Sequence, residues 1–329
     1  MTLRASVIIT THNEGASIRA TLLGLAQDRA FREGWAEVVL VDDRSTDDTV
    51  AQALSVDLPA LRLLRAAPDP ASPLTTRQQA LDLGFRAAAS PIILTLDADS
   101  TLPRDWIAQM IAPIEAGQTQ AIAGPIGFAP LTSAVARWQC CDTAYYFLVS
   151  GLMARAGLGG GVFFGNFAFR ADLYTRLGGF DAIGFALTED LAFALALQRA
   201  GHRIGFAAGT ARVDVRPCPS IPALVERSLR VTSGPPSALA LVLTMWPLTL
   251  LGLAIATALG AGATVAAALL LRYLTGVMLV IRALGPRRSA RLYVAALGYE
   301  PAVFGLAAAA LLRRLARRGV AWGGKTYGQ

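Results

Sequence analysis

Up to about residue 231 the chain alternates short apolar runs with amphipathic stretches; beyond it the polar positions almost vanish. Residues 6–10 form a β-rich run, Ser-Val-Ile-Ile-Thr, and residues 16–27 follow with helical spacing. Residues 37–41 read as a second strand and Thr49–Leu54 as the helix after it. Residues 91–96 are a third strand, apolar but for Thr95, that runs out at Asp97. Strands alternating with helices predict a mostly parallel α/β sheet with helices on its faces. In such sheets ligands bind beyond the carboxyl ends of the strands, and the polar clusters of this chain fall at those ends.

No side chain is charged between residues 231 and 271, which is too long for a buried helix and long enough for a membrane span. Spans are expected at about 238–259 and 264–281, joined by Gly260-Ala261-Gly262, the second interrupted by Arg272. A third apolar segment, 292–312, is broken by Gly298-Tyr299-Glu300-Pro301. The division expected is a water-facing domain over 1–235 and a membrane domain over 236–329. Composition agrees: 54% of residues are hydrophobic and 16% charged, against about 25% charged in soluble domains. A disordered chain is thereby excluded.

The basic stretches at 285–291 and 313–318 both belong in the cytoplasm by the positive-inside rule. Two spans followed by a third complete one cannot satisfy that, so the third segment is either a re-entrant hairpin or a third span. The first residues lack a basic region followed by a long apolar one, as a secretory signal would have. A multi-pass protein of the inner (cytoplasmic) membrane with a cytoplasmic domain is expected. Glu300 and Arg272 would be costly in lipid, so each is expected to face protein or headgroups.

The net charge is +7, and Lys325 is the only lysine. Basic charge could indicate nucleic acid, but the surplus arginines cluster beside the apolar segments and do not interleave with stacking aromatics. Nucleic acid is not expected, and no obligatory protein partner is evident. Cys140, Cys141 and Cys218 form no metal-binding spacing, and two histidines leave little for a histidine metal site.

Four polar clusters could carry chemistry. Asp42-Asp43-Arg44-Ser45-Thr46-Asp47-Asp48 follows the second strand. Ser45 or Thr46 could cap the next helix, but a cap does not need four carboxylates in seven positions. Asp97-Ala98-Asp99 follows the third strand; it is a solvated loop or, as two carboxylates at i, i+2, a site for a hard divalent cation. Thr188-Glu189-Asp190 opens an apolar helix, where acids favour the helix dipole or supply a general base. Arg227 and Arg230 share one helical face before the membrane, as headgroup contacts or as site cations. Residues 137–149, rich in Trp, Tyr and Phe, suit a helix at an interface or ordinary core.

The order Val7-Ile8-Ile9-Thr10-Thr11-His12-Asn13-Glu14, Val41-Asp42-Asp43, Asp97-Ala98-Asp99, Thr188-Glu189-Asp190 resembles the family-2 glycosyltransferases of the GT-A fold. Further segments are similar: Arg77-Gln78-Gln79-Ala80-Leu81-Asp82, Gly165-Asn166-Phe167, Gly178-Gly179-Phe180-Asp181, Arg227-Ser228-Leu229-Arg230-Val231 and Trp322-Gly323-Gly324-Lys325-Thr326-Tyr327. Asp82 stands where the family usually has Asn, and Val231 where membrane-bound members have Trp. The nearest subgroup in flavour is the ceramide and hopanoid lipid glycosyltransferases.

The resemblance implies a Rossmann-like catalytic domain with C-terminal transmembrane helices, a nucleotide-sugar donor of the UDP type, and inverting transfer to a lipid acceptor at the cytoplasmic face. A polysaccharide or polyisoprenyl-phosphate acceptor in cell-envelope synthesis is the alternative. It implies that Thr10, Asn13, Glu14 and Asp43 line the nucleotide pocket and that Arg77, Arg227 and Arg230 meet the diphosphate. Asp99, with Asp97, would hold Mg2+ or Mn2+. Asp190 would be the base, and Gly165, Asn166 and Glu189 would lie on the acceptor side.

Overall fold

A computed structural model describes residues 2–158, 160–207, 209–232, 237–285, 289–315, 320–322 and 325–327. In chain order the elements begin with β1 (Ala5–Thr11), α1 (Ile18–Ala26), α2 (Arg29–Arg32), β2 (Ala36–Asp42), α3 (Thr49–Leu54), β3 (Leu61–Arg65), α4 (Thr76–Ala87), β4 (Ile92–Asp97) and α5 (Trp106–Glu115). Then come β5 (Ala121–Ala123), β6 (Ile126–Phe128), α6 (Ala134–Arg155), β7 (Asn166–Arg170), α7 (Ala171–Arg176), α8 (Gly179–Ile183), α9 (Glu189–Arg199), β8 (Ile204–Phe206) and β9 (Val213–Val215). The chain continues through α10 (Ile221–Thr232), α11 (Ala238–Ala258), α12 (Ala263–Ala283), α13 (Ala290–Leu297), α14 (Tyr299–Leu315), β10 (Val320–Trp322) and β11 (Lys325–Tyr327). Two compact units result, one built chiefly from residues 1–127 and 161–216, the other from 128–160, 217–232 and the C-terminal helices. The second unit thus takes α6 and α10 from within the stretch that sequence assigns to the first domain.

The first unit is a mixed α/β layer structure around a sheet of order β3-β2-β1-β4-β7-β5-β8. β1 to β4 run parallel, and β7 is antiparallel to β4 and β5. Every residue of β1 and β2 is buried, which is why these strands read as continuous apolar runs and not as alternating ones. Successive side chains still go to opposite faces. Val7, Ile9, Leu40 and Leu94 pack with α1 and α5, whereas Ile8, Val41 and Ile93 pack with Phe85 of α4 and Phe193 of α9. Phe167, Phe169 and Phe180 fill the second of these faces and anchor the sheet there, since truncating one such phenylalanine costs about 3–5 kcal/mol. In the parallel register Thr10 sits level with Val41 and Asp97, and Thr11 with Asp42, so the polar residues leave the sheet along one edge.

The second unit contains two helices long and apolar enough to cross a membrane, Leu239–Ala258 and Ala263–Ala283. At 1.5 Å per residue, about 20 residues match a hydrocarbon core of about 30 Å. α13 and α14 are bent by 52° at Gly298 and together could make a third crossing or a re-entrant loop. α6 packs on this set, burying Cys140, Cys141 and Tyr145 with Val277, Val280 and Tyr299. The aromatic stretch at 137–149 is therefore part of this unit's core. α10 packs on α14 through Val225, Leu229, Leu306 and Ala309.

Arg272 and Glu300, which sequence expects only to avoid lipid, pair with each other. Nη1 of Arg272 donates to both carboxylate oxygens at 3.1 and 3.2 Å. Its Nη2 donates to Glu300 at 3.1 Å and to the Trp246 carbonyl at 2.6 Å, and its Nε to Thr249 Oγ1 at 2.8 Å. All three guanidinium nitrogens donate. A side chain at Gly276 would strike the Glu300 carboxylate, so that glycine makes room for the pair. The basic residues Arg287, Arg288, Arg317 and Arg318, with Gly323 and Gly324 of the tail, lie outside the described residues.

Candidate active site

The edge formed by the ends of β1, β2 and β4 gathers the first unit's polar residues. Two loops are stitched there. Asp43 N–H donates to Thr11 O at 2.8 Å, Asn13 N–H to Ser45 Oγ at 3.0 Å, and Thr46 N–H to Asn13 Oδ1 at 2.8 Å. Glu14 N–H donates to Thr49 Oγ1 at 2.8 Å and Gly15 N–H to Asp47 Oδ2 at 3.1 Å. Asn13 and Arg44 take left-handed backbone angles, φ 57° and 59°, so both loops turn sharply. A side chain at Gly15 would collide with Asp48.

The helix start after this loop differs from the sequence expectation. Ser45 and Thr46 do not cap α3. They face Asn13, and Asp47 accepts instead from the Thr49 N–H at 3.0 Å. Asp43 is 5% exposed and accepts from Arg44 Nε at 2.8 Å. His12 Nδ1 meets the Asp43 carbonyl at 2.6 Å, fixing the backbone of that residue, a role for which sequence carries no signal beyond the histidine itself.

α4 starts in a capping box in which Thr75 and Gln78 bond reciprocally, placing Arg77 in the first turn. Arg77 Nη2 donates to Asp97 Oδ1 at 3.0 Å and Nε to Glu189 Oε1 at 2.7 Å. Burial works against this charge, but Glu189 and Asp97 outweigh it and hold the guanidinium pKa above its ordinary value. Gln78, fully buried, accepts from Ala186 N–H and donates to Gly184 O, which holds the loop leading into α9. Glu189 is buried and committed to Arg77. Asp190, more open, accepts from the Leu191 N–H at 2.8 Å.

Asp99 accepts from the Arg216 N–H at 3.0 Å. Its carboxyl is pushed up to about 6, chiefly by burial and next by the neighbouring Asp97, with the Arg216 N–H pulling the other way. Two adjacent acids in that state are the donor chemistry of a hard cation. Among the described residues no group of three or more His, Cys, Asp or Glu gathers around one point, so the chain itself offers these two carboxylates.

Gly165 lies against Asp97, where any side chain would collide with the carboxylate. Asn166 opens β7 and is fully buried: its Nδ2 donates to the Pro125 and Ala211 carbonyls, and its Oδ1 accepts from Trp106 Nε1. Its amide is thus spent inside the first unit. Arg227 and Arg230 belong to the second unit, on α10. Arg227 donates to Gln139 Oε1 at 3.1 Å and lies 5.0 Å from the Phe128 ring centroid. Thr10, Asn13, Glu14, Asp43, Arg77, Asp97, Asp99, Gly165, Glu189 and Asp190 all belong to the first unit.

Residues 6–176 match the family model described as glycosyl transferase family 2, and residues 92–311 that of glycosyl transferase family group 2. No curated protein matches the chain significantly. Among solved structures, a mannosyltransferase from Pyrobaculum calidifontis in complex with GDP-Man and Mn2+ is 20% identical, with 96% of this chain and 88% of that one covered and a TM-score of 0.60. GalNAc-T7 with UDP, GalNAc and Mn2+ is 18% identical over 70% of this chain and 48% of that one, TM-score 0.48. Glucosyl-3-phosphoglycerate synthase from Mycobacterium tuberculosis, with UDP, is 21% identical over 69% and 76%, TM-score 0.47.

Proposed function

The chain belongs to glycosyltransferase family 2, and from that premise we propose that it transfers a sugar, with inversion, from a UDP-type nucleotide sugar to a lipid acceptor at the cytoplasmic face of a membrane. The observation that carries this reading is the set of acids Asp43, Asp97, Asp99 and Asp190 on one unit's sheet edge, in a chain that also carries two helices of spanning length.

Asp43 accepts hydrogen bonds from the imide edge of the base, while Thr10, Asn13 and Glu14 line the nucleoside. Asp97 and Asp99 fit a divalent cation, Mg2+ or Mn2+, because both are acids, neighbours, and partly withheld from water. That cation, when bound, supplies positive charge to the departing diphosphate as a Lewis acid. The mannosyltransferase neighbour holds Mn2+ in its own structure, which supports the same expectation here.

Glu189 is neutralised by Arg77, which leaves Asp190 as the carboxylate able to take the acceptor hydroxyl proton. As that proton moves, the acceptor oxygen bonds to the anomeric carbon and the bond from that carbon to the diphosphate breaks. Such a base contributes about 10²–10⁴-fold to rate. Gly165 and Asn166 shape the wall beside Asp97, and Glu189 stands on the acceptor side.

Mass spectrometry of total lipids from cells with and without the gene tests the reading. A lipid heavier by one sugar, dependent on the gene, is expected. A polymer or a sugar on a polyisoprenyl phosphate in its place would move the acceptor to that class, and no sugar-dependent difference at all would contradict the reading. The basic stretches at 285–291 and 313–318 put the tail on the cytoplasmic side. A cysteine at Gly328 should accordingly resist a membrane-impermeant reagent added to intact cells; labelling from outside would mean three complete spans.

A further inference from the structure

Arg216 lies in an irregular stretch after β9, in no motif that the sequence singles out. Its peptide N–H holds Asp99 at 3.0 Å. Its side chain donates from Nη2 to the Ala16 carbonyl at 2.6 Å, in the loop that carries Asn13 and Glu14. The residue is exposed. It takes no carboxylate partner among the described residues, although Asp99 is held by its own backbone. A guanidinium has five N–H donors in a rigid fork suited to phosphate oxygens, and one of the five is engaged here.

Arg77, by contrast, is committed to Asp97 and Glu189. Of the three cations that resemblance assigns to the diphosphate, Arg77 is therefore occupied with holding two acids and Arg227 and Arg230 belong to the other unit, while Arg216 stands between the nucleotide loop and the acid pair. We propose that Arg216 is the diphosphate-binding residue of this edge: its guanidinium bonds the phosphate oxygens of the donor and of the leaving nucleoside diphosphate. Its peptide N–H orients Asp99 at the same time. Arg77 is then a positioning residue, acting through Asp97 and Glu189. This assignment rests on the reading that the edge takes a nucleotide sugar.

The side chain can be tested alone, because substitution leaves the peptide N–H and its bond to Asp99 in place. The full chain, in detergent or nanodiscs with Mn2+, is titrated with UDP and with uridine as wild type, Arg216→Gln and Arg216→Lys. Loss of a charged hydrogen-bond donor to phosphate predicts about ten-fold weaker UDP binding in the Gln variant, with uridine affinity unchanged and part of the loss restored by Lys. Unchanged UDP affinity in the Gln variant would overturn the assignment of Arg216 alone. So would an equal loss for UDP and uridine, which would make the Ala16 bond structural. A wild type that binds uridine and UDP equally would remove any diphosphate contact, and one that binds neither would overturn the nucleotide-sugar reading together with the assignment.

Discussion

Arg77 and Arg272 each meet carboxylates over about the same distances, yet they sit in different regions and serve different ends. Arg272 is 9% exposed, its partner Glu300 4%, and all three guanidinium nitrogens donate within the second unit. Arg77 is 25% exposed and holds two separate acids, one of them 34% exposed. A closed pair among apolar helices is there because each member alone would be an unpaired charge in a low-dielectric setting. An open bridge at a sheet edge keeps carboxylates in place while leaving them reachable by a ligand. Salt-bridge length alone does not separate structural from functional ion pairs; what remains exposed around them does.

The largest expected effect is on the closed pair. Arg272→Met or Glu300→Gln leaves one charge buried, at a cost of about 3–5 kcal/mol, and thermal unfolding in detergent should show it. The double variant Arg272→Met with Glu300→Met should recover most of that loss, since replacing both members by apolar groups is close to neutral. Single variants as stable as wild type would mean that water reaches the pair.

Arg77→Met should do the reverse. The unfolding midpoint should move less than in Arg272→Met, because Arg77 and Asp97 both reach solvent, while turnover falls by about ten-fold or more as Asp97 and Glu189 lose their common anchor. A large stability loss with unchanged turnover per folded molecule would place Arg77 with Arg272.

The smallest effect is a pH dependence. Folding raises the Asp99 pKa to about 6, so between about pH 4 and 6 the folded chain binds more protons than the unfolded one, whose carboxylate titrates near 3.9. Without divalent cation, stability should fall as pH rises through that window. Asp99→Asn should flatten the slope, measured as the unfolding midpoint against pH; a wild-type slope that Asp99→Asn leaves intact would assign the dependence to another group.

Much of this was legible in the chain and some was not, for physical reasons. β1, β2 and β4 show themselves because burial on both faces makes them largely apolar runs, α11 because it carries no charged residue, and α12 because Arg272 and Arg282 are its only charged ones. β5, β8 and β9 are three residues long, and β7 is held by antiparallel pairing with distant partners, so none has a local signature. Arg272 and Glu300 were each recognisable as misfits in lipid, but their pairing joins residues 28 apart across a helix break. The acids of the sheet edge were visible as clusters. Arg216 was not, because an isolated arginine beside prolines acquires meaning only when the fold brings Asp99 and Ala16 to it. Ser45 and Thr46 looked like caps because capping is local, whereas the bonds they make are to the other loop.

The most direct measurement is release of nucleoside diphosphate by the purified full chain in nanodiscs, given a UDP-sugar, Mn2+ and a total lipid extract, for wild type and Asp190→Asn. Wild type should release UDP only when lipid is present. Asp190→Asn should bind the donor with near-normal affinity and turn over about 10²-fold or more slowly. UDP release that ignores the lipid, or an Asp190→Asn variant that turns over at the wild-type rate, would contradict lipid glycosylation with Asp190 as its base.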